Sequence, residues 1–124
     1  MDTLVKQCQV INRVFESEYI YKSVVIVDDP STMYHMETIL QHQYYPVEAI
    51  REECMDSSIM RFREGHIRML IMSCAVWQML MDKHPEPLIE ANVIFVTDPN
   101  ATDIQHFKEP LEKTPARKYI SLLM

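Results

Sequence analysis

The sequence predicts an α/β fold, one domain whose parallel β-sheet is flanked by helices on both faces. Two observations predict it. Short, continuously apolar, β-branched runs alternate with stretches of helical periodicity, the pattern of strands buried on both faces and joined by crossover helices. The 124 residues are close to the usual length of a single domain, and 48% apolar against 24% charged side chains is enough to build one core. The modest charge and the even spread of apolar residues argue against disorder.

The elements follow in order. Leu4, Cys8, Ile11, Val14 and Phe15 recur at helical spacing, which predicts an amphipathic N-terminal helix over about 4–16. Ser23-Val24-Val25-Ile26-Val27-Asp28 reads as a buried strand closed by the turn Asp28-Asp29-Pro30-Ser31. A helix capped near Ser31 places Met33, Met36, Ile39 and Leu40 on one face. Pro46 to Ile50 is a weaker strand, and residues 54–64 form a helix with Cys54, Ile59 and Phe62 inward. Gly65, the single glycine of the chain, sits where a helix stop needs a left-handed residue. Ile67 to Met72 is a strand, 74–82 a short helix and Asn92 to Thr97 a strand. A helix over about 101–109 and a last strand from Lys118 to Leu123 complete the chain, read as a single domain over 1–124 with its core at about 20–110.

Composition removes several functions. One glycine cannot build a glycine-rich phosphate loop, so the chain is not a self-sufficient nucleotide hydrolase. A formal charge of −6 disfavours strong, sequence-blind nucleic-acid binding, which needs clustered positive charge. Cys8, Cys54 and Cys74 are an odd, widely spaced set, unlike a disulfide framework or a zinc knuckle, and read as buried, reduced thiols of a cytosolic or nuclear protein. Met1-Asp2-Thr3-Leu4 lacks the regions of a signal peptide. The longest apolar stretch, Met69 to Met81, is interrupted by Ser73 and Gln78 and is too short to span a bilayer. The expectation is a soluble, intracellular protein that does not enter a membrane.

The histidines His35, His42, His66, His84 and His106 read as surface or cap residues. His35 and His42 are two helical turns apart, about 10 Å, too far to share a metal. Glu52, Glu53 and Asp56 fall at a helix start, where carboxylates favour the macrodipole. Arg61, Arg63 and Arg68 form the one basic cluster, candidate RNA contacts or else solvated and paired side chains.

Phe62-Arg63-Glu64-Gly65, then Met69-Leu70-Ile71-Met72-Ser73, then Val93-Ile94 through Asp98-Pro99 together resemble the C-terminal RecA-like lobe of DEAD-box RNA helicases. In that lobe a helix ends in Phe-Arg-x-Gly, a strand ends in Thr and a further strand reads Val-Ile-x-Tyr-Asp-x-Pro. The strand Val24–Asp28 and its helix fit the lobe's first βα unit, and the resemblance covers about residues 20–110.

The departures bear most on function. Family members carry Thr-Asp-x-x-Ala-Arg-Gly-Ile-Asp after the central strand, for ATP and for the link between lobes. Here Ser73-Cys74-Ala75-Val76-Trp77-Gln78-Met79-Leu80-Met81 stands there, with Gln78 and Met79 in the Arg and Gly places. The family's His-Arg-x-Gly-Arg-x-x-Arg, whose arginines stabilise the transferring phosphoryl group, is reduced to His106 through Lys113 without an arginine. The resemblance places RNA phosphates on helix N-termini at the carboxyl edge of the sheet, where Asp28, Asp29 and Asp98 would repel them.

A lobe that keeps the fold and loses the motifs is most similar to the helicase-like region of Yb-type Tudor-domain proteins of the piRNA pathway. That resemblance implies a domain with no enzymatic activity and no cofactor, in an RNA-silencing scaffold active in gametogenesis. It also implies cytoplasmic, perinuclear granules as the location. The implied partners are a second copy of the chain and other proteins of the pathway, with RNA reached through the full-length protein. In helicases the segment after the central strand faces the other lobe and is polar. Here Trp77, Met79, Leu80 and Met81 are apolar, either filling the domain's own core or forming an exposed association surface. A rival reading is an RNA-binding lobe whose ATP site lies mainly in an absent N-terminal lobe. A receiver-like signalling module fits Asp28-Asp29 but lacks the later acceptor aspartate and lysine in the right order.

Overall fold

A computed structural model of the chain describes residues 2–17, 22–27, 30–41, 46–83, 91, 93–96 and 118–122. The elements are α1 (Asp2–Ser17), β1 (Ser23–Val27), α2 (Pro30–Leu40), β2 (Val47–Ala49), a 3-10 turn (Glu52–Cys54), α3 (Met55–Arg63), β3 (Met69–Ser73), α4 (Cys74–Lys83), β4 (Val93–Val96) and β5 (Lys118–Ser121). The strands form one five-stranded sheet in the order β2-β3-β1-β4-β5. Every pairing is parallel. The sheet and both helical layers agree with the α/β expectation.

Alternation along each strand sends its side chains to two separate cores. Val24 and Ile26 of β1, Leu70 and Met72 of β3 and Ile94 and Val96 of β4 pack with Ile59 and Phe62 of α3 and Trp77 and Leu80 of α4. Val25, Val27, Met69, Ile71, Val93 and Phe95 pack on the opposite face, with Met33, Met36 and Leu40 of α2 and Cys8, Ile11 and Phe15 of α1. All residues of β1, β3 and β4 are buried, which is why their sequences are apolar without alternation. The N-terminal helix belongs to this body: α1 packs on α2, and the Gln7 side-chain amide donates to the Leu122 carbonyl at 3.0 Å.

Local chemistry fixes the ends of the elements. Gly65 has φ 86°, its N–H donates to Phe62 O at 3.2 Å, and the His66 N–H donates to Arg61 O at 2.9 Å. This paired closure satisfies orphan carbonyls of α3 and requires the left-handed residue the sequence provides. Buried Lys22 donates from Nζ to Arg63 O at 3.2 Å and lies over the Phe62 ring at 5.1 Å, a cation at the negative end of the helix. Two local expectations are corrected. Helix α2 begins at Pro30, so Ser31 lies inside the helix and not at its cap; proline suits the first helical position because it has no N–H to leave unpaired. Cys54 is exposed, because the chain makes a 3-10 turn there and Met55 takes the inward position.

Candidate functional site

The family resemblance places function at the carboxyl edge of the sheet. There β3 passes directly into α4, and the polar groups at the junction are engaged within the domain. Ser73 Oγ accepts from the Val76 N–H at 3.3 Å and so caps α4. The Cys74 thiol donates to Val27 O at 3.4 Å, tying α4 to the end of β1. Asp28, Asp29, Asp98 and the segment from His106 to Lys113 lie outside the described residues, as does the expected helix over 101–109.

The apolar run in α4 is core. Trp77 and Leu80 are 0% exposed, and Met79 is partly buried against the same cluster. The candidate association surface is therefore corrected at Trp77 and Leu80, which fill the core, while Met79 stays partly exposed. An apolar helix laid on a sheet turns its Trp77–Leu80 face inward, and the solvent side of α4 carries Ala75, Gln78 and Asp82. The Met81 side chain is outside what the structure describes. The Trp77 indole Nε1 is buried without a hydrogen-bond partner among the described residues.

The three arginines do not converge. Arg61 reaches from α3 to the edge strand β2, where its Nη2 donates to Oε1 and Oε2 of Glu48, both at 2.7 Å. Its Nη1 donates to Ser57 Oγ at 2.5 Å, and Ser58 Oγ donates to Glu48 Oε2 at 2.5 Å. Arg63 is exposed on the last turn of α3, and Arg68, just before β3, lies over the Phe15 ring at 5.0 Å. Arg63 and Arg68 thus sit at the amino end of the sheet, opposite the edge where the resemblance places RNA. Arg61 is held by a carboxylate through charge-assisted bonds, which leaves it little field to offer a phosphate.

What the structure does assemble is a groove along β2. Glu37 of α2, Glu48 and Ala49 of β2, Arg51, Cys54, and Ser58 and Arg61 of α3 line a volume of about 190 Å³. Ala49 faces α2 and Glu48 faces α3, so the two helices reach the edge from opposite faces. Glu37 Oε2 accepts the Ala49 N–H at 2.5 Å. Arg51 stacks over the Tyr34 ring at 5.5 Å, and Tyr34 is exposed at the rim. The pairing of Arg61 with an acid agrees with its sequence reading, but the sequence did not single out Glu37 or Glu48. Their spacing from Arg61 carries no motif, and parallel edge geometry alone brings them together.

Among the described residues no group of three or more His, Cys, Asp or Glu is placed to hold a metal, and no helix is long and apolar enough to cross a membrane. Cys8 is buried and its thiol is pushed up to about 11 by burial; Cys74 is buried as well, and Cys54 alone of the three is exposed.

No family model and no curated protein matches the sequence. Solved structures do match. The helicase domain of Pyrococcus furiosus Hef superposes over 100% of this chain with a TM-score of 0.73 at 13% identity. The C-terminal domain of the DEAD-box protein Dbp5 matches over 94% with a TM-score of 0.66 at 15% identity. The C-terminal part of the Fun30 ATPase domain matches over 93% with a TM-score of 0.63 at 13% identity. The chain has the fold of a helicase C-terminal lobe. It spans 25% of the Hef chain, 69% of the Dbp5 domain and 40% of the Fun30 chain.

Proposed function

We propose that this chain is a non-catalytic helicase C-terminal-like domain that mediates protein association, including self-association, within an RNA-silencing scaffold of the Yb-type Tudor class. On this reading it works in cytoplasmic, perinuclear ribonucleoprotein granules, its partners are a second copy and other piRNA-pathway proteins, and RNA is reached only through the full-length protein. The observation that carries the reading is the segment after the central strand. The positions that hold a nucleotide-sensing arginine and glycine in active helicases are Gln78 and Met79. Ser73 and Cys74 are engaged in capping and in holding Val27, and the Met79 side chain rests on the core. A lobe in this state keeps its shape and its outer surfaces while losing the chemistry of phosphoryl transfer.

A neighbour supports an association role for such a lobe. A variant of the Dbp5 C-terminal domain, similar to this chain over 95% of its length at 15% identity, is solved bound to Gle1 and IP6. By analogy, the outer surfaces of this chain are what function uses. The test joins this chain to a competent N-terminal helicase lobe and measures ATP turnover with and without RNA. Turnover at background supports the reading; RNA-stimulated hydrolysis overturns it.

A further inference from the structure

We infer that the outer edge of β2 is a strand-addition site for a second copy of this chain, and that Glu37 is the latch that holds it shut. The inference rests on the self-association reading above and assigns it a surface. Among the described residues, strand β2 is the end of the sheet, paired only to β3. The direction of its backbone groups is fixed by the ladder. Pro46 O accepts from Arg68 and Met69, and the Ile50 N–H donates to Ile71 O, so residues 46, 48 and 50 turn their peptide groups toward β3. The N–H and C=O groups of Val47 and Ala49 therefore point outward. An edge of this kind is a template for another strand unless something blunts it.

Among the described residues the blunting group is one carboxylate. Glu37 reaches across from α2 and takes the Ala49 N–H at 2.5 Å. No cation is bonded to Glu37 among the described residues, so its carboxylate is held in place by that N–H. Released, it can turn to solvent or to an arginine.

The occupant is chosen by symmetry and charge. An antiparallel approach of two β2 strands about a two-fold axis through Glu48 sets Val47 of each copy opposite Ala49 of the other. Each such pair can then exchange both N–H···O bonds. The groove flanking the edge carries Glu37, Glu48, Arg51 and Arg61, two charges of each sign, a set that complements itself under that rotation. The axis brings the two Glu48 side chains together, a like-charge opposition that normally destabilises a sheet pair. Each Glu48 is already neutralised by its own Arg61 through both carboxylate oxygens. An outside strand with a single sign of charge matches this groove less well.

The latch makes the contact weak and adjustable. Opening it breaks one charge-assisted bond per copy, so removing the carboxylate strengthens pairing by about tenfold for each copy. The experiment compares the full chain with its Glu37→Ala and Glu37→Gln variants by sedimentation velocity, and by amide exchange at Val47 and Ala49. Glu37→Ala is expected to dimerise more tightly, with exchange at both amides slowing as concentration rises. Glu37→Gln keeps an acceptor for Ala49 and stays near the parent. In the unaltered chain the Val47 amide is expected to slow with concentration; this decides the matter even if Glu37→Ala does not fold. Fast Val47 exchange at concentrations where the parent is dimeric overturns the surface while leaving self-association standing. A monomeric parent alongside a dimeric Glu37→Ala upholds the latch and overturns self-association of the natural chain. No change in any variant, with circular dichroism matching the parent, overturns the latch.

Discussion

Trp77 shows how one side chain redirects the functional reading. Its ring is wholly buried between α4 and the sheet, so its removal acts on stability. Trp77→Ala is expected to cost about 3–5 kcal/mol in denaturant unfolding, the range for aromatic truncation in a packed core. Trp77→Phe keeps most of the ring and removes a buried N–H that has no partner, so it should fall within about 1 kcal/mol of the parent. The thiols make a second residue-scale prediction. Under native conditions a thiol reagent at pH 8 should modify Cys54 promptly and leave Cys8 and Cys74 until the chain unfolds. Cys8 also carries a pH consequence. The unfolded thiol loses its proton near 9, while the folded one keeps it until about 11. The unfolded state then binds fewer protons, so stability falls as pH rises from about 9 to about 11 and levels off above that. Cys8→Ala should remove this step in unfolding measured across that pH range.

Among the elements, α3 has a closely determined C-terminal end. Gly65 at φ 86° closes it, and Gly65→Ala is expected to lose about 1–2 kcal/mol by forcing a Cβ into the left-handed region. Arg61→Ala, at a side chain 40% exposed, should cost no more than about 1 kcal/mol in thermal unfolding despite its bidentate geometry. Much at this scale was legible in the sequence. The 3.6-residue periodicities place α1 and α2, and the β-branched runs place β1 and β4. The single glycine marks the end of α3. What was not legible has specific causes. Cys54 has an apolar side chain at helical spacing from Phe62, eight residues on, and only the 3-10 turn turns it outward. The contact of Glu37 with Ala49 joins residues of different elements through a backbone N–H, which no side-chain pattern records. The inward turn of Trp77 and Leu80 could not be separated from an exposed stripe, because both produce the same sequence.

For the whole molecule, the parallel sheet with a core on each face follows from strand composition, and similarity to the helicase domain of Hef and the C-terminal domain of Dbp5 agrees with that fold. The departures from the helicase motifs are sequence facts, and at the edge where those motifs act the polar groups of Ser73 and Cys74 serve the fold. On the proposed function, the working parts of the molecule are its surfaces, one of which joins copies of this chain. Sedimentation equilibrium of the unaltered chain over a wide concentration range tests this association. A reversible monomer–dimer equilibrium whose dimer fraction rises with concentration is expected; a strict monomer at the highest concentration reached would overturn self-association.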